Sequence, residues 1–192
     1  MNQPDREKWN RIYSEKSAHG TEAAAVLREQ HWLLPATGRA LDLACGRGAN
    51  AILLAERGLQ TWAWDIADTV IDELQQLSAQ KKLAIHAEQR DVCAQPPERD
   101  SFDVIVVTRF LERGILPAIA QALRPQGLLF YQTFIREKTT ATGPDNPDYL
   151  LQANELLQTF SDLHTIYYME TGRIGDPTQG HRNEAMLIAQ RR

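Results

Sequence analysis

The sequence has few cysteines, no long apolar run and no excess of basic residues. Its 192 residues include two cysteines, Cys45 and Cys93, which are too few for a disulfide framework and typical of a protein with reduced thiols. No run approaches the roughly 20 apolar residues that span a bilayer. The polar segment 1–8 does not resemble a signal peptide. These absences predict a cytoplasmic protein that does not bind membranes.

The charge balance argues against a nucleic-acid-binding protein. Lysine and arginine total 21 against 25 acidic residues, a formal net charge of −4, whereas broad binding to nucleic acid needs a basic face. Hydrophobic residues make up 43% of the chain, enough for a full core in one domain of ordinary size. We therefore expect one domain over 1–192, a small-molecule substrate, and a monomer or homodimer.

Short apolar segments alternate with amphipathic ones through the middle of the chain. The pattern predicts strands over 40–43, 59–64, 83–87, 102–107 and 128–134. It predicts helices over 50–57, 67–80 and 111–123. Strands that alternate with helices in this way form a parallel sheet covered by helices on both faces.

The two ends of the chain depart from this alternation. After a short helix over 153–160, predicted strands 163–170 and 184–190 have no helix between them, which implies antiparallel pairing. The predicted fold class is therefore α/β: a Rossmann-like, doubly wound, mostly parallel seven-stranded sheet with a C-terminal antiparallel hairpin. Helices predicted over 5–16 and 22–34 suggest an N-terminal helical lid (1–35) on a Rossmann-like core (36–192).

A glycine loop follows the first predicted strand. Gly46-Arg47-Gly48 lies between that strand and a helix, an arrangement that brings a small cofactor against bare backbone. Asp42 lies in the first strand, Asp65 ends the second, and Asp91 lies just beyond the third. Three acids at successive strand ends predict a nucleoside cofactor held by hydroxyl and amine contacts.

The cofactor class has two candidates. Gly46-x-Gly48-x-x-Ala51 followed by Asp65 fits the dinucleotide pattern, so an NAD-dependent oxidoreductase remains an alternative. Asp42, however, would repel a pyrophosphate and would suit a cationic cofactor. The terminal hairpin is unusual for a simple NAD domain, and the sequence shows no convincing Tyr-x-x-x-Lys pair.

Five motifs in order resemble the class I methyltransferases that use S-adenosylmethionine (SAM). They lie at 41–48, 65, 90–92, 102–105 and 123–127, so the resemblance covers nearly the whole chain. Segments 5–13, 143–151 and 154–157 are similar to tellurite-resistance-like small-molecule methyltransferases. The resemblance implies SAM as cofactor, S-adenosylhomocysteine as product, and a thiol or chalcogen oxyanion as the leading acceptor. A non-catalytic SAM-binding module is a further alternative.

The resemblance also implies site residues. Those implied for the cofactor are Asp42, Ala44, Gly46, Gly48, Asn50, Asp65, Ile66, Asp91, Val92 and Thr108. Those implied for the substrate are Trp9, Tyr13, Arg109, Phe110, Arg136 and His181. No catalytic residue is assigned. An amine or hydroxyl acceptor would need a base, for which Tyr131 and His181 are the candidates.

Each implied cofactor acid has a role. Asp42 would orient the loop or accept from the cofactor ammonium, Asp65 would accept both ribose hydroxyls, and Asp91 would accept from the adenine amine beside the Val92 amide. Ala44 replaces the first loop glycine of the family, at little cost if its φ stays negative.

Each assignment also has a purely structural alternative. Asp42 could cap loop amides, Asp65 could cap a helix, and Arg109 could form a solvated ion pair. Trp9 and Tyr13 could close over the cofactor or simply pack. The segment 108–111 lacks the Asn/Asp-Pro-Pro-aromatic motif of nucleobase amino methyltransferases, which argues against a DNA-base substrate. His19, His31, His86 and His164 have no ligand spacing, so no metal site is predicted.

Overall fold

A computed structural model describes residues 3–15 and 22–192; Lys16 and His19 lie outside these ranges. The strands are β1 (Arg39–Leu43), β2 (Gln60–Asp65), β3 (Ile85–Gln89), β4 (Phe102–Thr108), β5 (Leu123–Phe134), β6 (His164–Met169) and β7 (Glu184–Gln190). The α-helices are α1 (Gln3–Glu15), α2 (Ala25–Glu29), α3 (Ala49–Glu56), α4 (Asp68–Lys81), α5 (Leu116–Ala122) and α6 (Glu155–Thr159). None of these helices combines the length and apolar character needed to cross a membrane.

The seven strands form one sheet in the order β3-β2-β1-β4-β5-β7-β6. β1 to β5 are mutually parallel, and β7 is antiparallel to both β5 and β6. This topology confirms the predicted fold class, including the C-terminal hairpin. The second strand of the hairpin, not the first, pairs with β5, so β6 forms the edge of the sheet.

Helices bury both faces of the sheet at β4. On one face Val104 and Val106 of β4 share a core cluster with α2 and α3. On the other face Ile105 and Val107 pack in a second cluster with α5 and α6. Consecutive β4 residues therefore meet opposite cores, which explains why this strand is a nearly continuous apolar run.

Two predicted helices are shorter than expected. The helix predicted over 22–34 ends at Gln30, whose φ of −114° leaves the helical region, and a 3₁₀ turn follows over His31–Leu33. The helix predicted over 111–123 begins only at Leu116, where a proline occupies the first turn. Leu123 has already left the helix and pairs with Phe102 at the start of β5.

Residues 125–127, which lie before the predicted strand 128–134, belong to a strand in the structure. β5 includes these residues, and its register against β4 shifts between Phe102 and Val104. Gln126 has a φ of +67°. Its amide donates to the Arg191 carbonyl, and the Arg191 amide donates to Gly127. The chain after β7 thus pairs with this irregularity, a long-range contact that the local Pro-Gln-Gly pattern cannot reveal.

Candidate functional site

The glycine loop lies at the carboxyl ends of β1 and β2. Asp65 is buried there, and one of its carboxylate oxygens accepts from the Gly46 amide at 2.8 Å while the other accepts from the Ala67 amide at 2.9 Å. Burial raises the pKa of Asp65, and the amide hydrogen bonds oppose that rise. One carboxylate therefore fixes both the loop after β1 and the entry to α4.

The condition for a low cost at Ala44, a negative φ, is not met. Its φ is +55°, in the left-handed region, as are those of Gly46 at +52° and Gly48 at +76°. The turn out of β1 thus imposes on Ala44 a conformation that glycine adopts freely and that an L-residue adopts at a cost. The alanine methyl group lies in a strained backbone next to the candidate cofactor loop.

We expect Ala44→Gly to raise the free energy of unfolding by about 0.5–1 kcal/mol. Relief of left-handed strain, about 1–2 kcal/mol, exceeds the entropy that glycine adds to the unfolded chain. Urea denaturation measures this change. Ala55→Gly is the matched control: it lies inside α3 and should lower stability by about 0.5–1 kcal/mol. A loss of stability in both variants would show that the backbone at Ala44 is not strained.

Asp42 lies beneath the loop and is completely buried. Its carboxylate accepts from the Ala51 amide at 3.0 Å and from the Asn50 side chain at 3.2 Å. Asn50 also donates to the Thr108 hydroxyl at 3.0 Å and accepts from the Ala24 amide at 2.9 Å. Burial is the main cause that raises the pKa of Asp42, to about 7. The cluster links β1, α3, β4 and the segment before α2.

The loop after β3 brings a third acid to the same edge. Asp91 accepts from the Cys93 and Ala94 amides at 3.1 and 3.2 Å. Val92, between Asp91 and Cys93, is buried. The Gln89 side chain donates to the Ile66 carbonyl at 3.1 Å. This contact holds the ends of β2 and β3 side by side, which is expected if both strands line one ligand pocket.

Helix α1 lies over the glycine loop. The Arg47 guanidinium donates to the Tyr13 carbonyl at 2.8 Å, and Arg6 forms an ion pair with Asp68 at the start of α4. A β-carbon placed on Gly46 would fall 2.9 Å from the Tyr13 hydroxyl. Burial is the main cause that raises the pKa of Tyr13. The Trp9 ring, 5.9 Å from that of Tyr13, remains partly exposed.

An open cleft of about 360 Å³ lies beyond the end of β4. Its lining includes two of the predicted substrate residues, Arg109 and His181, together with Glu184. Arg109 has a φ of +53° and donates to Glu184 at 2.9 Å, with 65% of its side chain exposed. His181 contacts Glu29 at 3.0 Å. The cleft therefore carries one exposed cationic group, the Arg109 guanidinium, among polar and apolar lining residues.

The other predicted substrate residues do not line this cleft. Trp9 and Tyr13 belong to α1 above the loop. Phe110 is half-buried against the core and accepts at its carbonyl from the Tyr131 hydroxyl at 2.9 Å. Arg136 is exposed, and its backbone amide donates to Leu151 at 3.0 Å. The structure thus divides the predicted set between the loop, the cleft and the surface.

Tyr131 is excluded as a base. It is completely buried in the core, and burial raises its pKa. His181 lines the cleft, where it can contact a substrate. Cys45 is buried, which raises the pKa of its thiol and agrees with a packing role rather than a nucleophilic one.

Sequence reasoning missed Gln132 and Glu184. The buried Gln132 side chain accepts from the Val26 amide at 2.8 Å and donates to Glu184, and the Arg109 amide donates to the Gln132 carbonyl at 2.8 Å. These contacts fix Arg109 at the cleft. A polar residue inside the apolar strand β5 was the available signal, because buried amides require partners.

Comparison with known proteins bears on the family of the chain. Residues 40–127 match the methyltransferase domain family. The chain is 27% identical over 124 residues to a putative methyltransferase, YqeM, of Bacillus subtilis, covering 59% of this chain and 49% of that protein. It is 28% identical over 141 residues to hemagglutinin 1 of Eikenella corrodens, covering 69% of this chain and 46% of that protein. It thus spans about half the length of these curated relatives.

The solved structures agree on the fold. TehB from Haemophilus influenzae superposes with a TM-score of 0.70 at 20% identity, covering 97% of this chain and 67% of that chain. At this identity the likeness concerns the fold.

Proposed function

We propose that this chain, which belongs to the class I SAM-dependent methyltransferase superfamily, transfers the methyl group of SAM to a small-molecule acceptor. The observation that carries the proposal is the buried Asp65 that holds the Gly46 amide at the carboxyl edge of the sheet. It joins the glycine loop to an acid that would accept from sugar hydroxyls. SAM is the cofactor that superfamily membership implies.

The residues at the carboxyl edge fit SAM. Because Gly46 has no side chain, another group can approach its backbone closely, and the Tyr13 hydroxyl does so. Asp65 would accept from the ribose hydroxyls, and Asp91 with the Val92 amide would hold the adenine. Asp42 would favour the cationic end of the cofactor from beneath the loop. In this proposal Ala44, Gly48, Asn50, Ile66 and Thr108 shape the pocket, and α1 with Trp9 and Tyr13 forms a lid.

The chain's own residues contribute alignment and desolvation. SAM, when bound, supplies an electrophilic methyl group on a sulfonium centre. Arg109 at the end of β4 would orient the acceptor, and the lid would exclude water. These effects of proximity and desolvation account for large rate gains without a dedicated base. A soft nucleophile therefore suits a site in which Tyr131 is buried and His181 is the remaining base candidate.

The acceptor that this site supports best is a thiol or a chalcogen oxyanion. Arg109 keeps an exposed guanidinium edge beside its ion pair with Glu184, and guanidinium groups bind oxyanions well. TehB, a tellurite-resistance methyltransferase, has the same fold. The proposal for this chain is accordingly an anionic or polarisable small acceptor, with no nucleic-acid partner.

Parallel calorimetric titrations with SAM, S-adenosylhomocysteine and NADH test the cofactor. Binding of the two adenosyl compounds without NADH supports the proposal and justifies an acceptor screen with thiols, selenite and tellurite. NADH binding alone would favour the oxidoreductase alternative. SAM binding without turnover of any acceptor would favour the non-catalytic module.

We expect Arg109→Ala to reduce turnover of an anionic acceptor at least about tenfold, because one charge-assisted contact contributes about 1.5–3 kcal/mol. SAM affinity should stay within about twofold, since the change lies outside the glycine loop. Steady-state kinetics and calorimetry measure the two effects. Arg57→Ala, an exposed residue after α3, serves as the control. Equal turnover in the two variants would remove Arg109 from the substrate site.

A further inference from the structure

In the part of the chain that the structure describes, one face of the sheet lacks a covering helix over β2 and β3. The connections β1–β2, β2–β3 and β4–β5 each carry a helix, whereas residues 90–101 between β3 and β4 form turns only. Side chains cover Trp62 and Trp64 of β2 instead. The Arg39 guanidinium lies 4.3 Å from the centre of the Trp62 ring, and that of Arg90 lies 3.9 Å from the centre of the Trp64 ring.

These residues line a cleft of about 190 Å³, called here the arginine–tryptophan cleft. Its lining consists of Arg39, Trp62, Trp64, Glu88, Arg90, Glu98, Ser101 and Phe102. Arg39 begins β1 and Phe102 begins β4, so the cleft extends to the amino ends of the strands. The glycine loop lies at their carboxyl ends. No lining residue belongs to the glycine loop, although Trp64 and Arg90 directly precede Asp65 and Asp91 of the proposed cofactor site.

Two buried donors in the lining have no partner. Among residues 3–15 and 22–192, three buried side-chain atoms make no hydrogen bond, and two of them are Arg39 Nε and Trp64 Nε1. Trp64 is 4% exposed. An unsatisfied buried donor costs about 1–3 kcal/mol, and native proteins contain few of them. Two such donors in the lining of one small cleft indicate a missing acceptor.

The lining defines the chemistry of that acceptor. A guanidinium stacked on an aromatic ring presents its N–H edges outwards, where they match the oxygens of a carboxylate or phosphate. The indole N–H is a donor only. Glu88 and Glu98 at the same cleft disfavour a large polyanion such as nucleic acid. A compact oxyanion satisfies the buried donors without accumulating repulsion.

We propose that the arginine–tryptophan cleft binds a small oxyanion, the carboxylate or phosphate group of a small molecule. Arg39 supplies charge and a guanidinium edge, and Trp64 supplies a neutral donor. Arg90 adds charge, while its Nε and one Nη already donate to the Gln95 and Pro96 carbonyls at 2.9 and 3.3 Å. The ligand would occupy the face that a crossover helix covers elsewhere in the sheet. The lining residues of the cleft are not among those assigned to the cofactor or the acceptor, so anion binding and methyl transfer are tested separately and either proposal can fail without the other.

The test is a titration of the full chain with inorganic phosphate and with acetate at constant ionic strength, followed by the indole N–H signals in NMR spectra. The Trp64 signal is identified by its loss in Trp64→Phe. We expect one or both anions to shift it saturably, because a charge-assisted hydrogen bond deshields its proton. The anion that binds more tightly identifies the group as phosphate or carboxylate.

Variants distinguish a site from general anion effects. Arg39→Gln should weaken binding about tenfold or more, the loss of one charge-assisted contact, while SAM affinity stays unchanged. Arg57→Gln, an exposed arginine outside the cleft, should bind as the wild type does. Absence of saturation with both anions, or equal affinities of Arg39→Gln and Arg57→Gln, would overturn the proposal. Calorimetric titration of Trp64→Phe with the two anions is a second test of the site, with a conservative substitution.

Discussion

Asp65→Ala should weaken SAM binding by about a hundredfold or more. Two hydrogen bonds from ribose hydroxyls to a carboxylate contribute roughly 3 kcal/mol together, which corresponds to about a hundredfold in the dissociation constant. The same carboxylate holds the Gly46 and Ala67 amides at 2.8 and 2.9 Å. Its removal therefore also releases the loop from the entry to α4. Calorimetric titration with SAM measures the loss.

The matched control for this change is Asp72→Ala. Asp72 lies on the exposed side of α4, so its substitution alters the overall charge equally and leaves the loop intact. Thermal unfolding of both variants separates a lost ligand contact from a lost fold. A folded Asp65→Ala variant that binds SAM within about threefold of the wild type would contradict the ribose role, since each such hydrogen bond is worth more than that.

The second prediction concerns pH. Burial raises the pKa of Asp42 from 3.8 to about 7. Between these values the unfolded chain has released this proton while the folded chain retains it, so stability falls as pH rises from about 4 to 7. At about 1.36 kcal/mol per pH unit, the total from Asp42 is about 4 kcal/mol. Above pH 7 this contribution becomes constant.

Asp42→Asn should flatten that dependence. The amide cannot ionise, so the free energy of unfolding of the variant should fall less between pH 5 and 7 than that of the wild type. Urea denaturation across this range gives the two slopes, and the slope is the readout whatever the absolute stability of the variant. Asp65, whose pKa burial also raises, contributes a slope of the same sign to both proteins. Parallel curves would show that Asp42 is ionised in the folded chain at acidic pH.

Several features of the fold followed directly from local patterns. The alternation of apolar strands with amphipathic helices determined the parallel sheet, because each strand must be buried on both faces by its neighbouring helices. The helix-free connection before β7 determined antiparallel pairing. The strand–glycine–helix pattern with Asp65 located the candidate cofactor edge, since parallel strands end at the same side of the sheet.

Other features depended on contacts between distant segments. The left-handed φ of Ala44 belongs to the turn between β1 and α3, and no local rule distinguishes this residue from an ordinary alanine. Tyr131 is buried by elements that are far apart in sequence. Gln132 likewise forms hydrogen bonds with distant residues, Val26 and Glu184. Hydrophobic periodicity and composition describe residues that are neighbours along the chain. The environments of these residues form only when distant segments pack together.

The sequence by itself determined the architecture and the edge that carries the glycine loop, because hydrophobic periodicity and turn chemistry act over a few residues. Tertiary structure alone decided which side chains share the substrate cleft and which are buried. It also decided that Arg39 and Arg90 cover the tryptophans of a face without a helix. Burial and long-range hydrogen bonding determine pKa values and ligand access, and both depend on packing between segments that the local pattern does not relate.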